Sequence, residues 1–165
     1  MLTRCSRSLD DVSNPHSQDS YQVRFDWGAI GADTISDGAH VIVWVDQLGD
    51  DATLVASSTD LMRARLEEAA EVADLALRRQ TELGGRFVIA VVAAGAVRDD
   101  GSLRFAVEDL LAAGAIIEAL GAVGIDHQSP EAAAAASAYS GLKNATGHLI
   151  SASASSRERR ESSEA

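Results

Sequence analysis

The chain has 165 residues, with 25 acidic against 14 basic side chains and a formal charge of −11. That length suits one domain able to bury about two-thirds of its unfolded surface, and the negative charge argues against a nucleic-acid partner or an anionic membrane surface. Cys5 is the only cysteine, so neither an internal disulfide nor a thiolate metal cluster can form, and no apolar run is long enough to span a bilayer.

Arg4 and Arg7 are not followed by an apolar block, so no secretory signal is read and a cytoplasmic location is expected. Residues 1–20 are rich in Ser, Asp and Asn and read as a disordered leader. Residues 21–150 read as a single α/β domain, a layered sheet of mostly parallel short strands packed by Ala-rich helices. Residues 22–25 form a short candidate edge strand. Val41-Ile42-Val43-Trp44-Val45 is a continuous β-branched and aromatic run, as expected of a central strand buried on both faces. Residues 53–56 are a second edge candidate. Met62, Leu66, Ala69, Ala73 and Leu77 recur at spacings of three and four, predicting a helix that starts after Ser57-Ser58-Thr59-Asp60 and stops at Gly84-Gly85.

Phe87-Val88-Ile89-Ala90-Val91-Val92 reads as the second central strand. A nearly apolar helix follows over about 107–122, with Gly124 placed to end it. Its interior Gly114 costs about 1 kcal/mol, which implies close approach to the sheet. Ser129-Pro130-Glu131 supplies an N-cap and a first-turn Pro for a last helix running to about residue 149, weakened by Gly141 and Gly147. Residues 151–165, six serines among alternating charges, read as a disordered tail.

Phosphate-loop, dinucleotide-binding and nucleophile-elbow glycine motifs are absent. His16, His40, His127 and His148 are scattered without metal-ligand spacing. Asp46 directly follows the strand run, at the end of the sheet that borders the ligand crevice in open α/β folds. It reads equally as a metal ligand or general base and as the start of a turn. No second Asp stands two residues on, which argues against an aspartyl-phosphate route and for metal-activated water. Glu108 and Asp109 open the apolar helix. Their carboxylates suit a hard cation such as Mg²⁺, and the macrodipole alone also favours acidic residues there. Arg98 and Arg104 can match phosphate oxygens or stand as ordinary surface arginines.

The run Asp100-Gly101-Ser102-Leu103-Arg104-Phe105-Ala106-Val107-Glu108-Asp109-Leu110-Leu111-Ala112-Ala113-Gly114-Ala115 resembles the 2-phosphosulfolactate phosphatase family, whose hallmark is a Glu-Asp-Leu followed by an Ala-Gly-Ala helix. Arg24-Phe25-Asp26-Trp27-Gly28, the run from Val41 to Asp46, and Ser155-Ser156-Arg157-Glu158 are similar, in order, to further family segments. The resemblance implies a Mg²⁺-dependent phosphatase that hydrolyses 2-phosphosulfolactate to sulfolactate and phosphate, a step of coenzyme M biosynthesis in some organisms. It implies Asp46, Glu108 and Asp109 as catalytic and metal-ligating positions, with Arg104 and Ser155 at the substrate, a small phosphorylated acid.

The departures define a second expectation. Gln47, Leu48 and Gly49 stand where the family carries polar residues. Its middle segment is missing, with only residues 50–53 between the regions that flank it. Such a loss uncovers a sheet edge or an apolar helix face. The alternative is therefore a non-catalytic shortened relative, an interaction module forming homo-oligomers through that surface.

Overall fold

A computed structural model describes residues 14–49 and 59–164 of the chain. The expected strand at residues 53–56 lies outside the described residues. Within them the fold is α/β, built on a parallel sheet. Strands β1 (Val23–Trp27), β2 (Val41–Val45), β3 (Asp60–Ala64) and β4 (Ile89–Ala93) lie in the order β1-β4-β2-β3. All three pairings are parallel, with Trp27, Ala93, Val45 and Ala64 aligned at the carboxyl end.

The two central runs behave as their composition dictates. Val43, Val45, Ile89, Val91 and Ala93 are fully buried on one face, and Ile42, Trp44, Ala90 and Val92 are buried on the other. The first face packs against α2 (Ala69–Leu83), α3 (Val107–Ala122) and α4 (Pro130–Leu142). The second packs against the short α1 (Gly28–Ile35), through Ala32 and Ile35. That helix was not expected from its Gly- and Thr-containing sequence; burial of its inner face outweighs the weak propensity.

Four expectations need correction. Residues 61–64, expected to begin the long helix, lie with the expected cap Asp60 in the parallel edge strand β3. Met62 fits the helical spacing, but pairing beside Val43 decides the backbone, and the helical region begins only at Leu66. The leader is ordered from Asn14, whose side chain caps a short 3₁₀ turn. Gln18 there donates to the Phe25 carbonyl at 2.8 Å and accepts from its N–H at 2.9 Å, closing the outer edge of β1. Gly114 approaches α4 rather than the sheet: a Cβ at that position would lie 2.3 Å from the Ala135 carbonyl oxygen. Finally, the last helix breaks after Leu142 into a 3₁₀ turn and α5 (Thr146–Ala152), and the expected tail forms α6 (Ala154–Glu164). Ser153 is buried in extended geometry and accepts from the Ser156 N–H, which restarts the helix.

Candidate active site

Three segments converge where the parallel strands end. The loop leaving β2 carries Asp46, Gln47 and Gly49. The loop leaving β4 carries Gly95 and leads into the hairpin β5 (Ala96–Val97) and β6 (Leu103–Arg104). The third segment is the first turn of α3, with Glu108 and Asp109. Crevices outside strand carboxyl ends are where open α/β sheets place ligands.

Asp109 is the keystone. It is 2% exposed, and its Oδ1 accepts from the Gln47 N–H at 2.8 Å while its Oδ2 accepts from the Gly95 N–H at 2.9 Å. One carboxylate thereby pins the loops of both central strands to α3. Burial pushes its pKa up to about 7, reinforced by the neighbouring Asp46 and Glu108 charges and opposed by the two amides. Asp46 is half-buried and accepts from the Gly49 N–H at 2.6 Å. Burial raises its pKa as well, opposed first by the Gly49 amide and then by the charges of Arg65, Arg63 and Arg159. Glu108 is 3% exposed, and among the described residues no donor reaches its carboxylate.

Two glycines make this arrangement sterically feasible. A Cβ on Gly49 would lie 1.8 Å from Asp46 Oδ2, so only glycine lets that carboxylate fold over its amide. Gly95 sits at φ +69, and a Cβ there would meet Leu103 Cδ1 at 2.7 Å. The buried Gln47 side chain anchors the loop from behind, accepting from the Leu66 N–H at 2.7 Å and donating to Glu67 at 3.2 Å.

A cavity of about 560 Å³ opens over this floor, lined by Asp46, Glu108 and Asp109 on one side and by Ser155, Glu158 and Arg159 of α6 on the other. The three expected acidic positions and Ser155 therefore share one space. Arg104 does not line it: its guanidinium binds Glu158 Oε1 at 3.1 Å and ties the hairpin to α6. Arg98 turns to the Leu103 carbonyl within the hairpin. Arg159 is the basic residue that reaches the cavity, and it was not among the expected site positions. Its signal was hidden, because a polar tail gives no register from which to tell Arg157 from Arg159.

Among the described residues, no group of three His, Cys, Asp or Glu side chains is arranged to hold a metal ion as it stands. The donor set is nonetheless of hard oxygens, the kind Mg²⁺ takes while keeping most of its waters. Glu108 lacks a donor, and Asp46 keeps Oδ2 outside its hydrogen bond to Gly49. Among the described residues no helix is long and apolar enough to cross a membrane. No family model, curated protein or solved structure matches the chain.

Proposed function

We propose that the chain is a Mg²⁺-dependent phosphatase of the 2-phosphosulfolactate phosphatase type, acting on a small phosphorylated acid between the strand ends and α6. One observation carries this reading: Asp46, Glu108 and Asp109 line a single cavity opposite Ser155 and Arg159. The resemblance of the stretch from Arg104 to Ala115 supports it.

Glu108 and Asp46 are the side chains that would hold the cation, since both line the cavity and, among the described residues, each keeps a carboxylate oxygen outside any hydrogen bond. Bound there, Mg²⁺ would offset phosphate charge and acidify a water. Asp109 has its oxygens engaged by two amides, so its part is to fix both loops and to hold or release a proton near neutrality. Arg159 presents a guanidinium to phosphate oxygens, and Ser155 a hydroxyl. The cell compartment expected for such a reaction is the cytoplasm.

The deciding assay is phosphate release from 2-phosphosulfolactate by the full chain with Mg²⁺. Release should stop on chelation and fall by about 10²-fold or more in Glu108→Gln and Asp109→Asn. Absence of release from the wild type, or full activity in both variants, overturns the reading. A second reading is favoured by exposed Ile30, Val97, Leu103 and Phe105 around α1 and the hairpin. In it the chain is a non-catalytic shortened relative that self-associates through this face. It requires dimers in sedimentation and no hydrolysis with any divalent metal.

A further inference from the structure

On the β3 side of Asp46 lies a smaller cavity of about 210 Å³, below the ~300–1,000 Å³ of drug-sized pockets. Trp44, Asp46, Gly49, Arg63, Arg65 and Glu68 line it, and Asp46 and Gly49 also line the carboxylate cavity. The two spaces are therefore neighbours across one carboxylate. Strand geometry brings both arginines to this side. Arg63 pairs beside Trp44 in the parallel register, and side chains two residues apart on extended backbone share a face. Arg65 is two residues on, and its backbone is still extended at φ −119 and ψ 173.

Arginines thus stand on both sides of Asp46. Arg63 and Arg65 line the smaller cavity and Arg159 the larger, and the charges of all three act on the Asp46 carboxylate. The two carboxylates lining the smaller cavity are each engaged by main chain. Asp46 accepts from the Gly49 N–H at 2.6 Å, and Glu68 from the Arg65 N–H at 2.8 Å. Arg65 Nη2 donates to the Gly49 carbonyl at 3.4 Å, which draws the guanidinium across to the loop after β2. A guanidinium carries five N–H donors in a fixed fork that matches an acid group at two points, so that bond leaves donors for a ligand. With Asp46 assigned to the cation, the two guanidiniums outweigh Glu68 in the remaining charge.

We infer that Arg63 and Arg65 bind a second acid group, a carboxylate or sulfonate, of the molecule whose phosphate occupies the larger cavity. They are then the residues that make the site select a phosphorylated acid over a simple phosphate monoester. Arg159 meets the phosphate on one side of Asp46, and the arginine pair meets the other charge beyond it. What fills the larger cavity rests on the phosphatase reading. The preference for a second acid is read from binding, without turnover.

Phosphonates carry a C–P bond in place of the ester, so they report binding without hydrolysis. 3-Phosphonopropionate and propylphosphonate have equal chain length and differ by a carboxylate against a methyl group. In calorimetric titration of the full chain with Mg²⁺, 3-phosphonopropionate should bind at least about tenfold more tightly. 2-Phosphonoethanesulfonate, titrated beside it, tells the two acids apart: the tighter of the pair marks the group the arginines read. Arg63→Gln and Arg65→Gln should each remove most of the preference over propylphosphonate, chiefly by weakening the two-acid ligand. Arg65 is exposed, so its replacement tests recognition rather than folding. Arg65→Lys, which keeps the charge without the fork, should retain part of the preference. The inference is overturned if neither two-acid ligand binds more tightly than propylphosphonate, or if the preference survives in both glutamine variants. Equal weakening of all three ligands in those variants overturns it as well, because the arginines then act on the phosphonate or on the fold. If the preference follows the arginines while 2-phosphosulfolactate releases no phosphate, the second-acid site stands and the phosphatase reading fails. If 2-phosphosulfolactate is hydrolysed but the wild type binds all three ligands alike, the phosphatase reading stands and the second-acid site fails.

Discussion

The two walls of the carboxylate cavity are built on different principles. The floor is held by backbone: Asp109 and Asp46 take amides from Gln47, Gly95 and Gly49 at 2.6–2.9 Å, on loops that end fully buried strands. The opposite wall, α6, has no buried residue of its own. It is held by a capping serine, by Arg160 reaching the Ser151 carbonyl at 3.1 Å, and by the exposed Arg104–Glu158 pair. Groups fixed by main chain in a desolvated setting keep their geometry and have shifted proton affinities. Groups on a solvated helix move readily. The floor is therefore suited to chemistry and the wall to capturing a ligand.

The largest expected effect breaks the floor. With its pKa raised to about 7, folded Asp109 binds a proton that the unfolded chain releases near pH 4. Its contribution is thus present in full below pH ~4 and lost as pH rises through ~7, at most about 4 kcal/mol across that window. Raised Asp46 acts in the same direction. Asp109→Asn should flatten this part of the stability profile in urea titrations run from pH 4 to 8. It should also destabilise the protein by about 1–3 kcal/mol at the acid end, where the asparagine NH₂ faces an amide donor. An unchanged slope would show that Asp109 is not the group responsible.

Gly49→Ala is the next test of the floor. Its new Cβ falls 1.8 Å from Asp46 Oδ2, so the carboxylate must leave its amide, at a cost of about 1–3 kcal/mol. Gly141→Ala is the control, because a Cβ there meets nothing within 4 Å and the position lies in α4. That change should stabilise by about 0.5–1 kcal/mol. Thermal melts of the pair separate crowding at the site from a general effect of replacing glycine.

The same contrast explains what could be read from the sequence. Asp46, Glu108 and Asp109 were legible because each flanks a segment whose pattern admits one reading: the unbroken β-branched run 41–45 and the apolar helix 107–122. Strand 60–64 was not, because Met62 happens to continue a helical spacing and an edge strand carries no clear alternation. The need for glycine at 49 and 95 comes from Asp46 and Leu103, contacts that a local pattern does not contain. Gly114 marked a close approach correctly, but periodicity does not say which neighbour comes close. Helix α6 stayed hidden because its supports are a cap at Ser153 and a partner, Arg104, 54 residues away from Glu158. With α6 unseen, Arg159 had no site to belong to.

Predictions on the wall are smaller and differ in kind. Arg159→Gln should raise KM for the phosphorylated substrate about tenfold, equivalent to about 1.4 kcal/mol. It should leave kcat within about twofold and the urea midpoint unchanged. Asp109→Asn should do the reverse, lowering kcat more than it changes KM. Loss of kcat without a change in KM in Arg159→Gln would move that residue from capturing the ligand to the chemistry itself.

The smallest effect tests how loosely the wall is attached. Arg104 and Glu158 meet at 3.1 Å, but their side chains are 38% and 64% exposed, and such pairs contribute about 0–1 kcal/mol. Glu158→Gln should therefore leave the melting temperature nearly unchanged. Amide exchange should nonetheless quicken severalfold along residues 156–164, because a weakly held helix opens locally before the domain unfolds. The Gln47 and Gly95 amides, bound to Asp109 within the floor, should exchange as in the wild type. Acceleration at those two amides as well would mean that wall and floor open as one unit, and that α6 is part of what holds Asp109 in place.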